Sequence, residues 1–219
     1  MVKMAVFDLD GTLVNSLADL AVATNEGLKK AGLREQPIED YRHFVGNGRE
    51  MLVKRAMGSA GDNKELFDIV MNEFNSYYKA HCNDRTSEYT GCTELLNALE
   101  KNKIMTAVLS NKPDEFVGEI LKKVFPNHRF TEAWGNKEEY RCKPDGEALK
   151  AILKKHNVER SECVYIGDSN VDVFTAYNAG VAMLGVEWGF RGRNELLSAG
   201  APQVAANTDE LLQMILELK

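Results

Sequence analysis

No long apolar run occurs in this sequence. The N-terminal stretch Met4-Ala5-Val6-Phe7 stops at Asp8, far short of the roughly 20 consecutive apolar residues that a membrane span needs. Nor do a basic start, an apolar stretch and a small-residue cleavage site follow one another, so no secretory leader is expected. A basic excess is also missing. Lys and Arg number 27 and Asp and Glu 33, leaving a net charge of −6 and a sequence pI of about 5.4. Nucleic-acid binders usually carry the opposite balance, so no nucleic-acid partner is expected and any anionic ligand must meet local positive groups. Cysteine is limited to Cys82, Cys92, Cys142 and Cys163, none in a C-x-x-C pair. Free thiols in a reducing cytoplasm are the expectation. The four histidines, His43, His81, His128 and His156, lack metal-ligand spacing and read as surface or packing residues. There are no repeats and no low-complexity segments.

What is present is ordinary globular material. Hydrophobic residues make up 44% and charged residues 27% of 219, which argues against a disordered, collagen-like or disulfide-framework chain. The length suits one large domain, or one domain carrying a smaller insert. Short apolar runs at Met4–Asp8, Ile104–Ser110, Phe130–Trp134, Cys163–Gly167 and Val181–Gly185 read as strands, with a weaker sixth at Gln203–Ala205. Near-continuous apolar strands are those of a parallel sheet covered on both faces. Helix-length segments lie between them: Glu94–Asn102, Glu115–Phe125 after Pro113, Asp145–Lys155 after Pro144, Asp172–Asn178 before Gly180, and Asp209–Leu218 after a capping cluster. The alternation predicts an α/β fold, a doubly wound, Rossmann-like, mostly parallel sheet.

The segment after the first strand breaks that rhythm. Leu17, Leu20, Ala21, Ala23, Leu28 and Leu33 recur at helical spacing, as do Phe67, Val70, Met71, Phe74, Tyr77 and Tyr78. One crossover helix suffices between parallel strands, so this stretch reads as an inserted small helical cap. The expected division is a core of residues 1–15 and 85–219 and a cap of residues 16–84. The aromatic stripe Phe67, Phe74, Tyr77 and Tyr78 reads as cap core rather than as a ligand box.

Ligands of open α/β sheets bind outside the C-terminal ends of the strands. Strand one runs into Asp8-Leu9-Asp10-Gly11-Thr12, strand two into Ser110-Asn111-Lys112, and the strand at 163–167 into Asp168-Ser169-Asn170 with Asp172 beyond. Lys143-Pro144-Asp145 starts a helix on the same rim. Asp-Gly alone would be a plain turn, but an apolar strand leading into two carboxylates, with three more polar clusters beside it, is not. Two unit charges about 4 Å apart repel by about 4 kcal/mol at an effective dielectric near 20. The cluster of Asp8, Asp10, Asp168 and Asp172 therefore calls for a divalent cation, and oxygen-only ligands favour Mg²⁺.

Four motifs together, D-x-D-G-T-L at 8–13, S-N-K at 110–112, K-P at 143–144 and G-D-S-x-x-D at 167–172, resemble those of the haloacid dehalogenase superfamily of phosphotransferases. The match covers nearly the whole chain, and the cap between the first two motifs is similar to that of the phosphoglycolate phosphatase branch. The resemblance implies a Mg²⁺-dependent phosphatase acting on a small phosphorylated metabolite, with 2-phosphoglycolate as the expected substrate. Pyrophosphate or nucleoside monophosphate hydrolysis and sugar-phosphate mutation are the alternatives, and a non-catalytic binding or signalling module is the third class. It implies Asp8 as nucleophile and Asp10 as general acid and base. Mg²⁺ would lie on the Asp8 carboxylate, the Asp10 carbonyl and Asp168, with Asp172 behind the metal or beside Lys143. Ser110, the Asn111 backbone and Lys143 would take the phosphoryl oxygens. Lys112 reads as a surface or supporting charge. In the cap, Gly46, Asn47 and Gly48 would let backbone approach the substrate. Arg49, otherwise a solvated helix residue, would face a substrate carboxylate, and Arg42 is a weaker candidate. A monomer or homodimer is expected.

Overall fold

The computed structural model describes residues 1–218. Met4–Phe7 forms β1, whose four residues are all buried. Met4 and Val6 pack into the core on one face of the sheet, and Ala5 and Phe7 into the core on the other. This is the two-residue alternation of a strand covered on both sides.

The chain then leaves the sheet. Val14–Asn15 (β2) is followed by Leu17–Lys30 (α1), Tyr41–Phe44 (α2), Arg49–Met57 (α3) and Lys64–His81 (α4), and it returns through Ser87–Glu88 (β3). β2 and β3 pair antiparallel, Val14 opposite Glu88 and Asn15 opposite Ser87. The outgoing and returning chains therefore lie side by side. Asp19, near the start of α1, binds the return: its carboxylate accepts from the Arg85 amide and the Thr86 hydroxyl. α1 packs along α4, where Val70, Phe74 and Tyr78 recur at fourfold spacing on the buried face.

From Cys92–Lys101 (α5) onward the order is Met105–Pro113 (β4), Asp114–Val124 (α6), Glu132–Asn136 (β5), Glu147–Lys155 (α7), Cys163–Gly167 (β6), Asn170–Ala179 (α8), Ala182–Val186 (β7), Gly192–Ser198 (α9), Val204–Ala205 (β8) and Thr208–Glu217 (α10). The sheet order is β5-β4-β1-β6-β7-β8, with every neighbouring pair parallel. Residues of α5, α6 and α10 fill one face, and those of α7, α8 and α9 the other. This is the α/β, doubly wound parallel sheet expected from the sequence.

The boundaries differ in three instructive places. β4 runs on through Asn111 and Lys112 to Pro113, so the polar Ser110-Asn111-Lys112 belongs to the strand rather than following it. β5 begins two residues later than its apolar run, because pairing with β4 starts at Glu132 opposite Ala107. α7 starts at Glu147, leaving Lys143 and Pro144 in the preceding turn. The order reverses around β1, since β4 lies on one side of it and β6 on the other. Its C-terminal end is thus the switch point where open sheets hold ligands.

Candidate active site

Asp8 follows the last residue of β1, and its amide donates to the Ile166 carbonyl of β6 (2.8 Å). The side chain accepts from the Leu9 amide (2.7 Å) and from Lys143 Nζ (2.9 Å). Lys143 reaches it from the turn before α7 and also pairs with Asp172 (2.7 Å). The ammonium further donates to the hydroxyl of Tyr165 (3.0 Å), which donates in turn to the Leu109 carbonyl (3.0 Å). Asp172, in the first turn of α8, has its other oxygen occupied by the amide and hydroxyl of Ser169, a capping box that fixes the start of that helix.

Asp168 follows β6 and is buried. It accepts from the Phe190 amide (2.7 Å) and, more loosely, from the Thr12 hydroxyl (3.5 Å). Backbone from two sides closes over it. Gly11, at φ +88°, and Gly189 have no room for a side chain, because a Cβ would lie 2.4 Å from Asp168 Oδ2 at Gly11 and 2.2 Å from Asp168 Cβ at Gly189. Carboxylate oxygens of Asp8, Asp168 and Asp172 lie within 4.8 Å of one another.

One lysine among three buried carboxylates leaves negative charge uncompensated. Burial pushes the Asp8 carboxyl up to about 7, opposed by Lys143 and reinforced by Asp172 and Asp10. Burial, then Asp172 and Asp8, drive Asp168 well above the usual carboxylate range. Lys143 is raised well above its ordinary value, because Asp172 and Asp8 outweigh its burial. A buried, proton-hungry cluster of hard oxygens with a cation deficit suits a small divalent ion such as Mg²⁺. Asp172 stands inside this oxygen cluster, yet it already accepts from Lys143, Ser169 and, more loosely, the Tyr165 hydroxyl.

Asp10 lies outside this oxygen cluster but lines the same cleft as Asp8. Its carboxylate accepts from Lys112 Nζ at 3.0 Å to each oxygen and from the Ser16 hydroxyl. Lys112 is therefore buried and not a surface charge. Its place inside a strand hides it, and a strand length drawn from apolar residues alone could not reveal that. Ser110 is buried on the same strand. The Asn111 side chain is a strap: Nδ2 donates to the carbonyls of Gly46 and Lys143 (3.0 Å each), and Oδ1 accepts from the Lys143 amide (2.7 Å).

A cleft opens between the strand ends and the helical segment, with about 660 Å³ of empty space including its mouth. Asp8, Asp10, Ser110, Asn111, Lys112 and Asp168 line its floor, and Leu20, Leu52, Phe74, Tyr78, Phe116 and Phe190 its apolar walls. The aromatic stripe of α4 thus divides. Phe74 and Tyr78 face the cleft, whereas Phe67 and Tyr77 pack from outside the fully buried core. Gly46 and Gly48 line the rim with positive φ (+119° and +82°). Asn47 instead accepts from Arg55. Arg49 stands at the rim, donating to Asn75 (3.0 Å). Arg42 pairs with Glu39 at the surface. No local signal marked Arg191, which donates to the carbonyls of His43 and Val45, or Tyr165 beneath Lys143.

The sequence profile of haloacid dehalogenase-like hydrolases matches residues 5–186. The chain belongs to this family. A phosphoglycolate phosphatase of Vibrio parahaemolyticus is 33% identical over 220 residues, covering 98% of this chain and 96% of its own. One from Pseudomonas fluorescens is 32% identical over 219 residues, covering 98% and 80%. The crystal structure of a Lactobacillus delbrueckii subsp. bulgaricus protein superposes with a TM-score of 0.91 at 32% identity, covering 97% of this chain and 98% of that one. The protein is an enzyme of the hydrolase class, similar to phosphoglycolate phosphatases along its length. Among the described residues no helix is long and apolar enough to cross a membrane.

Proposed function

We propose that the protein is a Mg²⁺-dependent phosphomonoester hydrolase working through an aspartyl phosphate on Asp8. The observation that carries this reading is the buried Asp8 carboxylate. It is held by Lys143 on one side and shares one oxygen cluster with Asp168 and Asp172, at the floor of an open cleft.

In the first step an Asp8 oxygen attacks phosphorus, and Asp10 gives a proton to the departing alkoxide. In the second, Asp10 takes a proton from water as the water attacks the aspartyl phosphate. Lys143, Ser110 and the Asn111 backbone amide hold the transferring oxygens, where charge is spread in the transition state. Asp172 keeps Lys143 in place. The Asp8 carboxylate, the Asp10 carbonyl and Asp168 would hold Mg²⁺, which when bound would cancel charge between nucleophile and phosphate.

Residues 16–84 act as a cap on a core of residues 1–15 and 85–219, keeping bulk water from the cleft. The likeness to phosphoglycolate phosphatases supports 2-phosphoglycolate as substrate. Arg49 at the rim is the group for its carboxylate, with Gly46, Asn47 and Gly48 shaping that rim. The four free cysteines support a cytoplasmic location.

The test is phosphate release from 2-phosphoglycolate, pyrophosphate, a nucleoside monophosphate and a sugar phosphate, with Mg²⁺ and with EDTA. Turnover should require the metal and be highest on 2-phosphoglycolate. Asp8→Asn should abolish it while the circular dichroism spectrum stays folded. Normal turnover by that variant would remove Asp8 from the nucleophile role. Isomerised product with little free phosphate would favour a mutase instead.

A further inference from the structure

Lys112 stands near the end of β4, with its side chain only 1% exposed. Its ammonium lies 3.0 Å from each carboxylate oxygen of Asp10, and the Ser16 hydroxyl donates to the same carboxylate. On its other side the ammonium sits over the ring of Tyr78, 5.1 Å from the centroid. That ring stacks on Phe74 and meets Phe116 edge-on, which leaves Lys112 little freedom to move. Lys112, Asp10 and the three rings line the same cleft as Asp8.

Stability is a poor reason for such a pair. Desolvating two charges costs about as much as their attraction returns, and an apolar pair of the same volume does as well or better. What the arrangement achieves is orientation. An aspartate side chain left to itself samples several rotamers, whereas one gripped by donors from β4 and from the start of α1 keeps one.

We propose that Lys112 is a positioning residue that, with Ser16, holds the Asp10 carboxyl group where it exchanges protons with the leaving oxygen and then with water. The inference rests on the phosphatase reading above. In the first step the Asp8 oxygen–phosphorus bond forms and the bond from phosphorus to the leaving oxygen breaks. The electron pair stays on that oxygen, which takes the Asp10 proton, and negative charge develops on Asp10 facing the Lys112 ammonium. In the second step the water oxygen–phosphorus bond forms, the Asp8–phosphorus bond breaks, and the water proton passes to Asp10. Lys112 touches neither phosphorus nor leaving group; it acts through Asp10.

Two phosphate compounds of similar size, one an ester and one an anhydride, separate this role from a structural one. Ethoxide cannot leave without a proton, whereas the acetate of acetyl phosphate can. The ratio kcat/KM covers the steps up to loss of the first product. Lys112→Met should lower kcat/KM for ethyl phosphate about a hundredfold or more, the usual worth of a placed general acid. For acetyl phosphate the loss should stay within about fivefold. Ser16→Ala should show the same selectivity, more weakly, and decides the matter should Lys112→Met not fold. Parallel losses on the two compounds would overturn the positioning role and leave the phosphatase reading standing. Wild-type enzyme releasing phosphate from neither compound, nor from 2-phosphoglycolate, would overturn both.

Discussion

Glu132 shows how a single residue's environment becomes a pH dependence. Burial alone would raise its carboxyl, but hydrogen bonds from Lys155, His156 and Trp134 outweigh it and hold the group at about 2. A carboxyl that titrates lower when folded than when unfolded stabilises the fold above its unfolded value, near 4.5, and loses that contribution as pH falls toward 2. Lys155 is largely exposed, so screening leaves on the order of 1–2 kcal/mol. Glu132→Gln should therefore lower the urea midpoint at pH 7 and flatten its decline between pH 5 and pH 3. Equal declines in variant and wild type would contradict this. Tyr78 makes the opposite case. Its buried hydroxyl has no hydrogen-bond partner, and burial pushes its titration far up. Tyr78→Phe keeps the ring under Lys112 and removes the orphaned group, so it should raise stability by on the order of 1 kcal/mol in thermal melts. Neither environment was legible in the sequence, where Glu132 lay inside an apolar run and Tyr78 in a helical stripe.

Among the elements, β4 and its neighbours carry the most site geometry. Asn111 ties three points together, the Gly46 carbonyl and both backbone groups of Lys143. Asn111→Ala would leave these buried or half-buried groups unpaired, at a cost of about 3 kcal/mol in urea unfolding. It should also reduce phosphate release by loosening the Lys143 turn. Wild-type stability in that variant would mean the strap is replaceable by water. The existence of the six sheet strands, though not their order in the sheet, was legible, because buried parallel strands are short apolar runs separated by helix-length segments. The polar end of β4 was not, because a strand whose last residues line a cleft stops looking apolar before it stops pairing. The same local reading placed the motif residues at strand ends but said nothing of which carboxylate each lysine would choose.

For the molecule as a whole, the clustered carboxylates would link stability to any cation they hold. Asp8, Asp168 and Asp172 repel one another in a buried site, so a cation that binds only the folded chain stabilises it. At a hundred times its dissociation constant this amounts to about 2.7 kcal/mol. Mg²⁺ should raise the melting temperature and EDTA reverse the rise. Asp8→Asn, which relieves the repulsion, should melt higher than wild type in EDTA and respond less to Mg²⁺. A melting temperature indifferent to the metal would count against the site. The sequence by itself determined the alternation of strands and helices, the insertion after β1 and the acidic and basic residues at the sheet's carboxyl rim, since periodicity and turn chemistry are local. Only the tertiary structure decided that Lys143 pairs with Asp8 and Asp172 while Lys112 pairs with Asp10, and that Tyr78 rather than Tyr77 faces the cleft. Those pairings join residues as far apart in sequence as Asp8 and Lys143, and it is the twist and register of the packed sheet, which no local pattern encodes, that bring them within hydrogen-bond reach.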